Sequence, residues 1–250
     1  GPARVVAAFD PGAAVPRVPL PNDLAKDPAT GKIVVPASPT ASAATRDFNE
    51  QYLGTLEGFP FESTAQVGFD GDLDPASVNP RTVLGLDLTT SQPLADLAPR
   101  FVPEGRSIVV APPGRGWTRA HRYAIVVLGG PNGVKGARGE EVIGSATWSL
   151  VSGTTPLVTC AEDLTAQDCE PTVDVIPSAE SDIGARLRDQ THKAIQLEQI
   201  RRGYAPLLDA LGARGINRSD VAVLWTFTIV DAAEVTFDPA RSIIPFPNDA

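Results

Sequence analysis

The sequence has too little positive charge to favour a polyanionic partner. Lysine and arginine number 21 against 30 aspartate and glutamate residues, so the formal net charge is −9. This sign opposes the counterion release that drives binding to phosphate backbones, and it also opposes adsorption on an anionic bilayer. Nor is there an apolar run of about 18 residues, the length that a membrane-spanning helix needs. We therefore expect no nucleic acid partner and no membrane insertion by this chain.

Groups that carry catalysis are also scarce. Histidine occurs only at His121, just before a predicted strand, and at His192, within a predicted amphipathic helix. The pentapeptide G-x-S-x-G, whose small flanking residues allow the sharp turn around a nucleophilic serine, does not occur. A triad assembled from scattered residues stays open, because geometry and not order defines it. We predict no catalytic residue, no cofactor and a protein that is not an enzyme.

Two stretches invite a ligand-binding interpretation, and both depart from the motif. Asp70, Asp72 and Asp74 have the spacing that opens an EF-hand loop, but Pro75 stands where the loop needs glycine and Arg81 where it needs glutamate. An EF-hand is excluded, and a looser calcium site stays open. Residues 129–141 are rich in glycine but contain neither GK(S/T) nor G-x-G-x-x-G. We predict a long hairpin connection there and assign no metal ligand.

The abundance of turn-forming residues points to a β fold. Glycine (22) and proline (24) without a triplet period indicate many turns between short elements, and 250 residues suffice for one large domain. Short segments rich in β-branched or apolar residues alternate with turn sequences between residues 58 and 151. The segments are residues 65–69, 83–88, 107–110, 123–128 and 146–151. Their spacing predicts a mainly β protein, an antiparallel β-sandwich.

A helical insertion is expected before the last strand. Apolar residues three, four or seven apart run from Ile183 and Leu187 to Leu211 and predict one apolar helical face. Gly203 and Pro206 are expected to divide the segment, about 181–212, into a hairpin-like pair of helices with Gly212 as the glycine after the last turn. The nearly continuous apolar residues 221–230 predict a strand buried on both faces and central in its sheet.

The chain contains two cysteines, Cys160 and Cys169. A disulfide between them would close a ten-residue loop, whereas two cysteines alone lack the partners that a zinc site requires. We favour the disulfide over unrelated thiols, and a disulfide indicates an oxidising compartment. Gly1-Pro2 resembles the remnant that a tag-removing protease leaves, so the missing signal peptide does not oppose this assignment.

The proline-rich start of the chain has an echo at its end. Residues 1–57 are predicted to form an extended arm that packs on the domain, with one short strand around residues 33–35. Phe9-Asp10-Pro11 and Pro21-Asn22-Asp23 recur in order as Phe237-Asp238-Pro239 and Pro247-Asn248-Asp249. We interpret residues 58–230 as the sandwich domain and residues 231–250 as a linker and the start of a second repeat. A reused turn motif is the alternative.

The three tryptophans are weighed between core packing and an exposed carbohydrate platform. Trp148 and Trp225 lie in predicted strands among apolar residues, so we expect them in the core. Trp117 lies in a glycine-rich turn and is expected to be the most exposed of the three.

Longer stretches carry a resemblance to a known family. FDGDLDPASVNPRTV (69–83), followed by RSIVVAPPGRGWTRAHRYAIVVLGG (106–130), resembles the bacterial Ig-like domain of S-layer-type surface proteins. With FDP and PND at the start, LEQIR at 197–201 and LWTFTI at 224–229, nearly the whole chain resembles a larger unit. That unit is the N-terminal module of bacterial virulence-factor lipases and related outer-surface lipoproteins.

The resemblance implies a location and a role. The chain would be a non-catalytic extracellular module on a Gram-negative bacterium, secreted or lipid-anchored, acting as a spacer, adhesion or binding unit in a tandem array. Its partners would be neighbouring Ig-like repeats, with a cell-surface glycan, lipid or protein ligand left open. The alternative is the accessory N-terminal domain of a secreted lipase or esterase whose catalytic domain lies outside this chain.

Overall fold

A computed structural model describes most of the chain. The described residues are 3–13, 15–27, 29–32, 34, 57–161, 164, 169–173 and 176–231. Residues 33 and 35 of the predicted arm strand and the second FDP and PND motifs lie outside them.

Two antiparallel sheets form the body of the protein. The strands of the first sheet are β3 (Val83–Asp87), β4 (Gln92–Pro93), β7 (Arg122–Leu128) and β11 (Val221–Thr228). Those of the second are β2 (Ala65–Gly68), β5 (Pro99–Val102) and β6 (Ser107–Val110). The first sheet has the strand order β11-β7-β3-β4 and the second the order β2-β6-β5. One apolar core contains residues of both sheets, including Val67, Ile108 and Ile125, and the predicted mainly β sandwich is confirmed.

The proline-rich arm runs along the edge of the second sheet. Its strand β1 (Arg4–Ala7) pairs in parallel with β8 (Glu141–Gly144). Farther along the arm, the backbones of Leu20 and Gln66 exchange hydrogen bonds of 2.9 and 2.6 Å. Because β2 ends the strand order of its sheet, these bonds occupy an edge that would otherwise be free to pair with another chain.

The last strand is buried, but it is not central. Seven of the eight residues of β11 are buried, as expected, yet β11 ends the strand order, and among the strands that the structure describes it pairs with β7 alone in its sheet. Its outer edge is covered instead. Gly144 of β8 lies so close that an added Cβ would stand 2.7 Å from the carbonyl oxygen of Ala222, and Phe59 bonds to the backbones of Thr228 and Val230. Local sequence cannot show such cover from distant segments.

Residues 146–151 are helical, so the predicted strand is wrong. They begin α1 (Ala146–Ser152), and Ser145 caps this helix by accepting a hydrogen bond from the Trp148 amide at 3.0 Å. The residues buried in α1 are Trp148, Val151 and Ser152, which have the three-and-four spacing of a helix. A serine cap in front of a short apolar run is the signal that favours the helix over a strand.

The insertion is one long helix and not a pair. Helix α2 (Ile183–Gly212) continues through Gly203 and Pro206, although the proline removes one backbone donor from the helix. Gly212 is its last residue, and the left-handed glycine follows at Gly215, with φ +85°. Among the described residues, no helix is long and apolar enough to cross a membrane.

Only part of the predicted apolar face of α2 is buried. Ala194, Leu197, Tyr204, Leu208 and Leu211 are buried, whereas Ile183 and Leu187 are 72% and 59% exposed. The first turns of α2 therefore extend beyond the core. The periodicity predicts the apolar face of α2 correctly, but it does not predict which part of that face packs on the core.

All three tryptophans are buried, which corrects the expectation for Trp117. Its indole nitrogen donates to the carbonyl oxygen of Ser63 at 2.7 Å. Its ring centroid lies 4.8 Å from that of Tyr123 and 5.1 Å from that of Phe227. The glycine-rich turn folds over this aromatic cluster, so Trp117 belongs to the core. Trp148 and Trp225 are buried as predicted.

Candidate functional site

The first FDP motif anchors the arm. Phe9 is 1% exposed and packs edge-on against Trp148, with ring centroids 5.3 Å apart. Its carbonyl oxygen accepts a hydrogen bond from the hydroxyl of Ser145 at 2.6 Å. Asp10 and Arg17 then exchange backbone hydrogen bonds of 2.7 and 3.0 Å. The motif thus fixes the arm on α1 and closes a short excursion of the chain.

The asparagine of the PND motif, Asn22, forms hydrogen bonds within its own turn. Asn22 is fully buried. Its Nδ2 donates to the carbonyl oxygen of Pro19 at 3.1 Å, and its Oδ1 accepts from the Leu24 amide at 3.0 Å. Both partners lie within three residues, so this asparagine caps a local 3-10 turn, Asp23–Ala25.

Asp23, the aspartate of the PND motif, bonds to residues that are distant in the sequence. Its Oδ1 accepts from the Thr228 amide at 2.9 Å, and its Oδ2 accepts from the Thr228 hydroxyl and from Nε of Arg122, both at 3.1 Å. Nη2 of Arg122 also donates to the Thr226 hydroxyl at 3.0 Å. We call Asp23, Arg122, Thr226 and Thr228 the arm clamp. It joins the arm to β7 and β11 through charge-assisted hydrogen bonds, which are stronger than neutral ones.

A buried hydroxyl lies in the electrostatic field of the clamp. Tyr204 of α2 is 4% exposed, and among the described residues its hydroxyl has no hydrogen-bond partner. Burial raises the pKa of Tyr204 well above its usual range, and the Asp23 carboxylate raises that pKa further while Arg122 lowers it. The tyrosine is therefore neutral and supplies no charge to the clamp.

His121 forms an ion-pair geometry with Asp87 beside the clamp. Its Nδ1 lies 2.7 Å from Oδ2 of Asp87, whose Oδ1 accepts from the amides of Thr89 and Thr90. Burial raises the pKa of Asp87, but the hydrogen bonds from His121 and from the two amides outweigh burial and hold that pKa below its usual range.

The recorded contacts of this pair position the clamp. The Thr89 hydroxyl accepts from the Arg122 amide at 2.9 Å, and the His121 carbonyl oxygen accepts from the Ile229 amide. The pair therefore holds the turn that leads into Arg122, the first residue of β7. His192 lies elsewhere, exposed on α2, with its ring 3.2 Å from the Gln196 amide nitrogen. The structure does not bring the two histidines together.

The three aspartates of the rejected EF-hand have separate partners. Asp70 accepts from the Val6 amide at 2.7 Å, and Asp74 accepts from the Ala76 amide at 3.0 Å and caps the 3-10 turn at Pro75–Ser77. Asp72 pairs with Arg106 at 3.3 Å. In the described ranges, no three histidine, cysteine, aspartate or glutamate residues form a group that could hold a metal ion.

Two open cavities meet at the Asp72–Arg106 ion pair. One has a volume of about 810 Å³ and includes Phe69 and Phe101 in its lining, and the other has a volume of about 520 Å³ and includes Arg138. Asp72 and Arg106 contribute charged groups to the walls of both cavities.

Residues 129–140 connect β7 to β8, but these strands do not pair with each other, because β8 pairs with β1. The expected long hairpin is therefore wrong. A small hairpin lies within the connection, where the Gly136 amide donates to the Glu140 carbonyl oxygen at 2.8 Å. Nζ of Lys135 donates to the Gly130 carbonyl oxygen at 2.6 Å, so the lysine is used inside the loop.

Cys160 and Cys169 are joined by a disulfide, with Cα atoms 4.1 Å apart. Cys160 follows β9 (Val158–Thr159) and Cys169 precedes β10 (Glu170–Pro171), and these two short strands pair antiparallel. The disulfide therefore closes the end of a small two-stranded ribbon against α2.

The buried carboxylate of Glu198 is not identified in the sequence analysis. Glu198 of α2 has no exposed side-chain surface and accepts hydrogen bonds from Nε and Nη2 of Arg201 at 2.7 Å each. Arg202 and the Leu157 amide donate to it at 2.8 and 3.0 Å. Burial raises the pKa of Glu198, but these donors outweigh burial and lower it to about 2. The glutamate–arginine spacing of three within LEQIR is the signal that could have identified the pair.

Comparison with known proteins gives slight similarity only. No protein-family model matches the chain, and no curated protein matches it. Three solved structures of the bacterial S-layer protein SbsC show some likeness: its N-terminal part, its domains 1–6 and its residues 31–844. Sequence identity is 19%, 19% and 20%, and the TM-scores are 0.25, 0.25 and 0.26.

The likeness to SbsC covers 32%, 32% and 34% of this chain, and 18%, 11% and 11% of the respective SbsC chains. The chain thus spans less than a fifth of the length of these structures. Similarity this slight establishes no family.

Proposed function

We propose that the chain is a non-catalytic, extracellular module of a bacterial surface protein, repeated in tandem as a spacer, adhesion or binding unit. One observation carries the proposal. The first FDP and PND motifs belong to an arm that is clamped to its own sandwich, and the same motifs recur from Phe237, nine residues after the last strand ends at Thr228. A unit made of arm plus sandwich is therefore followed at once by the sequence of another arm.

The compartment is inferred from the disulfide. Disulfides between structural cysteines persist in oxidising environments and are rare in the bacterial cytosol. The bond between Cys160 and Cys169 therefore supports an extracytoplasmic location, and the excess of acidic residues suits a surface exposed to water.

The use of the histidines supports a non-catalytic role. His121 belongs to the pair that holds the turn before Arg122, and His192 lies on an exposed helix face beside Gln196. The sequence contains no G-x-S-x-G. An ester-hydrolysis assay on the chain is expected to give no turnover, and turnover that a serine-directed reagent abolishes would contradict the proposal.

The location is tested by labelling intact cells. Antibodies raised against this chain should bind unpermeabilised cells of the source bacterium, with a cytosolic protein as the control that labels only after permeabilisation. Labelling restricted to permeabilised cells would overturn the extracellular assignment.

The array is tested by the coding sequence that follows Asp249. It should encode a second sandwich with an arginine and two threonines at the clamp positions. An α/β segment with G-x-S-x-G would instead favour the accessory domain of a secreted lipase or esterase.

A further inference from the structure

The second PND motif extends over six aligned residues. Val18-Pro19-Leu20-Pro21-Asn22-Asp23 corresponds to Ile244-Pro245-Phe246-Pro247-Asn248-Asp249, with conservative changes only at the two apolar positions. Four identical residues in six, including both prolines, exceed what one reused turn requires.

The difference in spacing between the motifs falls where the fold tolerates it. From Phe to the PND proline, the second copy is two residues shorter than the first. In the first arm, the backbone hydrogen bonds between Asp10 and Arg17 close a loop, and Val15 in this loop is 77% exposed. Aligning both motifs matches Asp238 to Asp10 and Ile243 to Arg17, so the second copy has four residues between these positions where the first has six. Connections of that length are common in hairpins.

The surface that receives the PND motif recognises the aspartate. Asn22 makes its contacts within its own turn, whereas Asp23 is held by the Thr228 amide, the Thr228 hydroxyl and the Arg122 guanidinium. Leu20 is 48% exposed, so the larger phenylalanine of the second motif has room at that position.

We propose that Ile244–Asp249 docks on the clamp surface of a second copy of this chain, Arg122, Thr226 and Thr228, with Asp249 in the place of Asp23. The inference rests on the proposed tandem function and names the contact through which one unit would recognise another. In the unaltered chain the clamp surface is occupied by its own arm, so docking requires that arm to be released.

The test releases the arm with Asp23→Lys, which places a cation against Arg122. This variant should associate in a concentration-dependent manner in analytical ultracentrifugation, while the unaltered chain and the matched control Asp249→Asn stay monomeric. In the double variant Asp23→Lys/Asp249→Asn, dimerisation should weaken roughly tenfold to hundredfold, as expected when hydrogen bonds to a charged group are lost.

Every other outcome overturns the docking. The docking is overturned if the Asp23→Lys variant is monomeric, or if the double variant associates as strongly as the single one. It is also overturned if Asp249 docks within its own chain. If Asp23→Lys loses cooperative thermal unfolding, Asp23→Asn replaces it, and the same dependence on Asp249 is required. None of these results bears on the labelling of intact cells, so failure of the docking is distinguishable from failure of the proposed function.

Discussion

Replacing Glu198 with glutamine should destabilise the protein by about 3 kcal/mol at pH 7. A carboxyl whose pKa falls from 4.5 to about 2 on folding is stabilised by about that amount. Removal of one partner of a buried ion pair gives a similar figure, at the lower end of its usual range because Arg202 is largely exposed. For a domain of this size the melting temperature should fall by about 10 °C.

The pH dependence follows from the direction of the shift. Because folding lowers the pKa of Glu198, its contribution is present above about pH 4.5 and is lost as the pH falls towards 2. Urea unfolding of the unaltered chain and of Glu198→Gln should therefore give free energies that differ at pH 7 and converge below pH 4.5. Other carboxyls titrate in both proteins, so the difference isolates Glu198.

A matched control lies on the same helix. Asp189 and Lys193 form a pair at 2.9 Å that is considerably more exposed than Glu198, so Asp189→Asn should have a far smaller effect than Glu198→Gln. Two results would refute the reasoning: a Glu198→Gln variant as stable as the Asp189→Asn control, or a difference from the unaltered chain that does not change between pH 7 and pH 2.5.

Three further variants are checked by the same unfolding measurement. Replacing Cys160 and Cys169 with serine should cost roughly 2 to 3 kcal/mol, because the open chain regains the entropy of a ten-residue loop; an unchanged midpoint would contradict this. Gly144→Ala should cost about 2 kcal/mol or more, since the new Cβ would stand 2.2 Å from Cδ1 of Trp148. Gly203→Ala should stabilise α2 by about 0.5 to 1 kcal/mol, because its Cβ would enter open space within a helix, and a loss of stability would count against that view.

The sequence predicts those elements whose residues carry their own periodicity. Strand β6 (Ser107–Val110) coincides with its prediction, and β7 and β3 are correct to within one residue at each end. These segments combine β-branched residues with turn sequences on both sides, so local preference and final environment agree. The apolar run of α1 is too short for its length to distinguish a helix from a strand, and the cap at Ser145 is the feature that indicates the helix.

Prediction fails where distant segments supply the environment. Trp117 lies in a turn whose sequence indicates exposure, and it is buried because Ser63 and Phe227 cover it from elsewhere in the chain. Helix α2 continues past Pro206 because Tyr204 and Leu208 on either side are buried in the core, and burial outweighs the lost backbone bond. Neither contact leaves a local signal.

The PND motif shows which part of a repeated motif is informative. Asparagine and aspartate both favour turns, so a recurring Asn-Asp pair is no evidence for a recurring contact beyond the turn. The structure distinguishes the roles of the two residues. The side chain of Asn22 forms its hydrogen bonds within three residues, whereas that of Asp23 bonds to Thr228, 205 positions away. If the motif were repeated for its turn alone, the position of Asp23 would accept any residue compatible with a 3-10 turn. Asp249 stands at the position that corresponds to Asp23, so Asp249 is the residue whose substitution tests the proposed docking.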